Sequence, residues 1–270
     1  MPEGHTLHRL ARHHQKLFAG APVRLSSPQG RFAASASIVD GQVLRRATAH
    51  GKHLFHDYGP DAKVHIHLGL YGTFIEGPVP VGPPVGEVRM RMVGATHWTD
   101  LRGPAACELL TDAEVTTLRA RLGPDPLRRD ADPARAWARI SASRAPIAGL
   151  LLDQSIIAGV GNVYRAEVLF RHNIHPLTAG RALDPPQWTS IWADLVFLIR
   201  QGVRRARIDT VRPEHLPEAM GRAPREDRHG GEVYVYRRAT QPCLICHTPI
   251  ATQTLATRKL YWCPTCQPSR

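Results

Sequence analysis

The densest concentration of chemistry in the sequence is Cys243-x2-Cys246 followed, after sixteen residues, by Cys263-x2-Cys266. Thiolates at this spacing match a four-coordinate structural zinc site, each pair forming a knuckle and the intervening residues a returning hairpin. The expectation is one structural Zn2+ with no catalytic role, because four protein ligands leave no open position. So short a module has little apolar core, and the metal is expected to supply much of its folding energy. Arg258 and Lys259 fall at the expected hairpin tip beside Tyr261 and Trp262. That mixture suits a nucleic-acid surface, and equally a solvated turn. Cys107, left over from the cluster, reads as a small buried apolar residue. Five cysteines with four clustered argue against a disulfide framework and for a reducing compartment.

A second constellation is Pro2-Glu3. With Met1 removed, Pro2 carries a secondary amine. An α-amino group titrates near about 8, so roughly a tenth is unprotonated at neutral pH. Such an amine adds to an aldehyde-level carbon to give an iminium, an electron sink for elimination. Glu3 is placed to protonate a leaving oxygen or relay protons. The same pair also reads as a helix start, with proline in the first turn and an acid at the positive end of the dipole.

A third is Asp153-Gln154-Ser155-Ile156-Ile157-Ala158-Gly159-Val160-Gly161-Asn162. Its glycines permit close backbone approach, and a helix beginning near Gly161 would offer N–H groups and the Asn162 amide to a phosphate. It lacks the third glycine and preceding strand of a dinucleotide fingerprint, and a plain capped helix turn fits it as well. A fourth is His65-Ile66-His67-Leu68-Gly69-Leu70-Tyr71-Gly72. The histidine pair has no third metal ligand in view. Leu70 and Tyr71, bracketed by glycines, read either as core or as an exposed wedge for insertion between bases. Lys52, in Gly51-Lys52-His53, is a hairpin lysine or a phosphate contact.

These residues need elements to hold them. Residues 3–19 carry Leu7, Leu10, Ala11, Leu17 and Phe18 at helical spacing, with Gly20 as the stop. From 22 to 102 the pattern turns to short β segments, among them 42–46, 53–58, 64–68 and 87–93, separated by Gly and Pro. Their number suggests a sandwich or barrel. A helix is expected at 111–122, then a Pro/Gly/Asp-rich linker at 123–133. Helices are expected at 134–142, 146–153, 161–172 and 186–203, a loop-rich stretch at 206–232, and β structure around the cysteines. The domains expected are 1–122, 134–232 and 233–270, joined by that linker.

The chain of 270 residues is long enough to bury a core without disulfides, and its 43% hydrophobic content excludes wholesale disorder. No apolar run is long enough for a membrane span, and Met1–His5 carry no signal-peptide features. Lys plus Arg number 35 against 23 acids, and the excess is uneven. Residues 1–130 hold 16 bases and 12 acids, residues 131–270 hold 19 and 11. This asymmetry points to a polyanionic partner. Only four of the bases are lysines; the arginine bias suits bidentate phosphate contacts and also fits a genome rich in arginine codons.

Taken together, Pro2-Glu3-Gly4, the Gly51-Lys52 turn, the Leu-Asp-Gln…Ala-Gly-Val-Gly-Asn segment and the terminal cysteines resemble the endonuclease VIII / formamidopyrimidine-DNA glycosylase family. The resemblance covers essentially the whole chain, in order. It implies an α+β multidomain fold: an N-terminal helix with a two-layered β-sandwich, a helix–two-turn–helix domain and a four-Cys zinc finger, with DNA between the halves. It implies Pro2 as Schiff-base nucleophile on the sugar C1′, Glu3 as proton donor and shuttle, and Lys52 as a lesion-strand contact assisting β-elimination. Asn162 and Arg258 would grip the phosphates flanking the lesion, Arg258 also serving the second elimination. Leu70 and Tyr71 would fill the void left by the flipped base, and Arg121 and Arg102 would contact DNA.

The Pro-Glu-Gly start resembles the endonuclease VIII branch, and the Asp-Pro-Arg-Arg-Phe-Gly loop of the 8-oxoguanine branch is absent, Asp100-Leu101-Arg102-Gly103-Pro104 standing there. Oxidised pyrimidines are therefore the expected substrates. His67-Leu68-Gly69-Leu70 looks instead like the 8-oxoguanine branch, with Gly69 where endonuclease VIII carries glutamine. The implied activity is a bifunctional DNA glycosylase and apurinic-site lyase of base excision repair, a monomer on damaged double-stranded DNA in the cytoplasm, nucleoid-associated, with no membrane partner. The alternatives are an 8-oxoguanine/formamidopyrimidine-type glycosylase and a non-enzymatic zinc-ribbon nucleic-acid-binding protein.

Overall fold

A computed structural model describes residues 2–226 and 231–269, so the removal of Met1 concerns a residue outside the described set. The chain divides into two units, residues 1–121 and 122–270.

The first unit opens with α1 (Gly4–Phe18), which buries Leu7, Leu10, Ala11, His14 and Phe18 on one face. Two four-stranded antiparallel sheets follow. One has the order β1 (Arg24–Ser26), β6 (Val88–Val93), β7 (His97–Arg102), β5 (Thr73–Pro78). The other has the order β2 (Arg46–His50), β3 (His53–Asp57), β4 (Lys63–His67), β8 (Ala106–Leu110). Leu25, Met90, Met92 and Leu101 from the first sheet share one core with Ala49, Leu54, Val64 and Ile66 from the second, and α1 adds its apolar face. The expected two-layered sandwich is present. Each fully buried Leu or Met contributes about 1.5–3 kcal/mol through burial. The unit closes with α3 (Asp112–Ala120), started by a capping box between Thr111 and Glu114.

Two sequence expectations are corrected here. Within the supposed all-β stretch lies α2 (Ala33–Val39). It is an alanine-rich piece with only Ala36 and Val39 buried, too short to show a helical period. Residues 42–46, expected as a strand, are not one: Gln42 N–H goes to the Val39 carbonyl (3.2 Å) and Leu44 N–H to that of Ala21 (3.3 Å). The strand begins only at Arg46, where the Ala47/Ala49 alternation starts.

The second unit is helical, with α4 (Pro133–Ser141), α5 (Ile147–Leu150), α6 (Asn162–Arg171), α7 (Pro185–Arg205) and α8 (Pro217–Met220), then a hairpin of β9 (Ala251–Leu255) and β10 (Arg258–Trp262). Asp132 caps α4, and an Asp184/Gln187 capping box starts α7. Trp188, Leu195 and Ile199 of α7 are buried against Ile140, Ile147 and Leu169. The helix expected at 146–153 is confined to one turn, and beyond it the Gln154 side chain bonds the Leu152 and Val160 carbonyls. The start of the expected linker is packed rather than free: residues 122–126 are buried. Gly123 lies so close to residue 156 that a Cβ would sit 2.3 Å from the Ile156 carbonyl carbon and oxygen. Glycine is thus required there by contact. No described helix is long and apolar enough to cross a membrane.

Candidate active site and metal centre

In the first unit, Glu3 takes the N-cap position of α1. Its main-chain oxygen accepts the Thr6 N–H (2.9 Å), and its side chain does not cap the helix. The carboxylate is wholly buried beside half-buried Pro2, at the positive end of the helix dipole. Next to it, burial, reinforced by Arg9, depresses the His5 pKa to about 3. α1 packs on the β2–β3 hairpin, fixed by Ala47 N–H to Gln15 Oε1 (2.8 Å) and by a His14 Nδ1–His56 Nε2 hydrogen bond (2.9 Å). That hairpin turns through Gly51-Lys52, with His50 paired to His53 and Gly51 at φ 56°. This left-handed conformation suits glycine and leaves Lys52 at the turn. One helix–hairpin assembly therefore carries Pro2, Glu3 and Lys52.

Leu70 and Tyr71 form the turn between β4 and β5, with relative exposures of 48% and 85%. Of the two sequence readings, core packing is thereby corrected. Arg102 ends β7, paired with Thr73, and its Nε is buried without a hydrogen-bond partner among the described residues. The Tyr71 carbonyl lies 3.4 Å from where a Cβ on Gly103 would be. Leu70, Tyr71 and Arg102 are thus neighbours at one sheet end. Arg121 is exposed at the C-cap of α3, and nothing places it with this group. His65 spends both ring nitrogens, bonding His53 Nδ1 (2.8 Å) and Glu108 Oε1 (2.9 Å). Cys107 is buried, and burial pushes its thiol up to about 12, an inert state.

In the second unit, the Gln154 carboxamide donates to the Leu152 (2.7 Å) and Val160 (2.9 Å) carbonyls and accepts the Gly159 N–H (3.0 Å). This ties down the turn that delivers Asn162 as the first residue of α6. Asn162 Nδ2 donates to the Lys259 carbonyl (3.2 Å), so the helix start and β10 meet. The hairpin turn itself is Ala256-Thr257, at φ 45° and 64°. Arg258, expected at the tip with Lys259, is instead the first residue of β10, paired with Leu255 and exposed.

Two buried charges in α6 had no sequence signal beyond lying in a helix that is buried all round. Arg165 reaches Asn162, Lys259 and Ala148. Glu167, fully buried, accepts from Thr210 Oγ1 (2.6 Å) and from the N–H groups of Tyr234 (2.7 Å), Val235 (2.9 Å) and Tyr236 (2.8 Å). It thereby anchors the chain entering the cysteine module.

The Sγ atoms of Cys243, Cys246, Cys263 and Cys266 all lie within 4.8 Å of one another. The Cys246–Cys263 and Cys243–Cys266 separations are 3.3 and 3.9 Å. A tetrahedral zinc with bonds of about 2.3 Å needs edges of about 3.8 Å. Ile245 N–H points at Cys243 Sγ and Cys266 N–H at Cys263 Sγ, both 3.4 Å, which favours thiolates. The four cysteines fit a metal ion.

Comparison with known proteins bears on what these parts belong to. Residues 1–107 match the formamidopyrimidine-DNA glycosylase N-terminal domain, and residues 122–212 match the formamidopyrimidine-DNA glycosylase H2TH domain. The chain is 57% identical over 274 residues to Endonuclease 8 1 of Mycobacterium tuberculosis, covering 99% of this chain and 100% of that protein. It is 31% identical to the formamidopyrimidine-DNA glycosylase of Thermosynechococcus vestitus, covering 81% of this chain and 77% of that one. A crystal structure of Lactococcus lactis formamidopyrimidine-DNA glycosylase, non-covalently bound to AP-site DNA, superposes with TM-score 0.79 at 19% identity, over 99% of this chain and 100% of that one. The structural likeness speaks for the fold. The identity over full length goes further, and with it the chain belongs to the endonuclease VIII / formamidopyrimidine-DNA glycosylase family.

Proposed function

We propose that this protein is a DNA glycosylase of base excision repair with apurinic-site lyase activity, using the Pro2 amine as nucleophile on oxidised bases, pyrimidines in particular. The observation that carries the reading is the fully buried Glu3, directly after Pro2 in the chain, whose side chain does not cap the helix. The 57% identity to an endonuclease 8 supports the branch.

The damaged nucleotide leaves the stack at a cost of a few kcal/mol, lowest for weakened pairs. Leu70 and Tyr71, exposed at their turn, fill the gap, and Arg102 beside them and Arg121 contact DNA. The Pro2 nitrogen attacks C1′ and the base departs. Glu3 delivers a proton to the sugar ring oxygen, and ring opening leaves an iminium between C1′ and Pro2. Loss of a C2′ proton expels the 3′ phosphate, with Lys52 assisting. A second elimination, assisted by Arg258, expels the 5′ phosphate and leaves a one-nucleotide gap. Asn162 and Arg258 hold the flanking phosphates.

One zinc on Cys243, Cys246, Cys263 and Cys266 would serve as a structural clamp, since four thiolates leave no site for substrate. The proposed division of labour is a catalytic region to 122, a helical DNA-binding region at 134–232 and the finger from 233.

The test is borohydride reduction with duplexes carrying thymine glycol, dihydrouracil or 8-oxoguanine. Trapping and cleavage strongest on the pyrimidines support the proposal. Preference for 8-oxoguanine favours the other branch, to which His67-Leu68-Gly69-Leu70 is similar. Binding without any trapping or cleavage would leave only the zinc-ribbon binding protein.

A further inference from the structure

We infer that Arg165 is a positioning residue that fixes the Asn162 carboxamide and the β10 main chain for phosphate binding, an inference that rests on the phosphate-gripping role proposed for Asn162 and Arg258. Arg165 lies one turn after Asn162 on α6, so its side chain runs back over the helix start. It is 1% exposed. One terminal nitrogen donates to Asn162 Oδ1 and to the Lys259 carbonyl (3.0 Å), the other to the Ala148 carbonyl (3.3 Å). One guanidinium thus joins α5, the first residue of α6 and β10.

A guanidinium can only donate. The Asn162 oxygen is therefore committed to Arg165, and the amide nitrogen must occupy the opposite side. One of its hydrogens goes to the Lys259 carbonyl (3.2 Å). The other is the donor left for a phosphate oxygen. Without Arg165 the amide can turn over and present its oxygen to the phosphate, a repulsive contact. The Lys259 carbonyl, held by two donors, also fixes the Lys259–Leu260 peptide, one residue on from Arg258. Lysine is no substitute, because a single ammonium lacks the planar fork that serves separated acceptors.

The experiment measures affinity for a duplex carrying a tetrahydrofuran abasic analogue, using the full zinc-loaded chain. Arg165→Gln and Asn162→Ala are each expected to weaken binding about tenfold. The double variant is expected to bind within about twofold of the weaker single variant, because one residue acts through the other. A merely structural arginine would give losses that multiply to about a hundredfold, and that result, or an unchanged Arg165→Gln, overturns the inference. Full affinity in Asn162→Ala would instead overturn the phosphate reading beneath it. If Arg165→Gln does not fold, Asn162→Asp decides. Its carboxylate keeps the Arg165 partner but loses the donor to the Lys259 carbonyl and to phosphate, so its Tm should exceed that of Asn162→Ala while affinity falls at least as far as in Asn162→Ala. A Tm below that of Asn162→Ala would overturn the pairing.

Discussion

Lowering the pH from 7 to 5 should strongly destabilise the first unit through histidines that are buried neutral. His14 and His56 are both fully buried and share one hydrogen bond of 2.9 Å, while His14 Nε2 and His56 Nδ1 are buried without a hydrogen-bond partner among the described residues. Phe18 and Phe74 face the His14 ring edge-on, with centroids 5.8 and 4.8 Å away, and the charges acting on it, His56 first and then His13 and Arg9, all disfavour its protonation. Nothing there receives a second proton. Burial lowers the His56 pKa from 6.5 to about 4, pushes His14 well down, and lowers His5, with help from Arg9, to about 3. Each folded value lies below the unfolded one, so the unfolded chain binds protons that the native state refuses. Stability is fully present above pH 6.5 and is lost as the pH falls through the window toward 4. At pH 5, about 1.5 pH units below the unfolded pKa, each such histidine costs about 2 kcal/mol. His5 and His56 together remove about 4 kcal/mol, a large part of the roughly 5–15 kcal/mol of a typical domain. Urea unfolding followed at Trp98, the tryptophan of the first unit, measures this across pH 7 to 5. His56→Gln should flatten the slope by about one proton, or about 1.4 kcal/mol per pH unit. A wild-type midpoint flat over that range, or an unchanged slope in the variant, would show that these histidines are not held neutral by the fold.

In the second unit, Glu167→Gln turns one accepting oxygen of four hydrogen bonds into a donor facing N–H groups. It should cost about 3 kcal/mol and lower Tm by about 6–12 °C in calorimetry; a shift under about 2 °C would contradict that. Stripping metal with a chelator should release the cluster of Phe170, Val233, Tyr234, Val235, Leu244 and Ile250 packed around Cys243 and Cys263, with red-shifted Trp262 emission and no change at Trp98. An unaltered Trp262 signal with metal removed would show the cysteines are not a folding clamp. Leu70→Ala, at an exposed turn, should alter stability by less than about 0.5 kcal/mol yet slow base excision about tenfold. Loss of stability with unchanged excision would return Leu70 to the core.

Features with local signals were legible in the sequence. The apolar face of α1, the amphipathic α7 and the cysteine spacing each specify their element within a few residues. Strands β3 and β4 were legible as short β-prone runs bounded by Gly and Pro. What failed depended on distant partners. Ala33–Val39 is too short to reveal a helical period, and the main chain of 42–44 is captured by Ala21 and Val39. Pro/Gly content marked 123–133 as a linker, although Gly123 is there because residue 156 presses against it. Arg165 and Glu167 read as ordinary helix charges, since their acceptors and donors lie up to 94 residues away. The candidate site divides the same way: Pro2, Glu3, Lys52 and Asn162 are named by motif, but the side chain that orients Asn162 emerges only from the fold.

The most direct measurement digests the borohydride-trapped complex and locates the sugar adduct by mass spectrometry. A single adduct is expected on the nitrogen of Pro2 in a peptide lacking Met1, abolished when a residue precedes Pro2. An adduct on Lys52 or another lysine, or full trapping by a chain that retains Met1, would contradict Pro2 as the nucleophile.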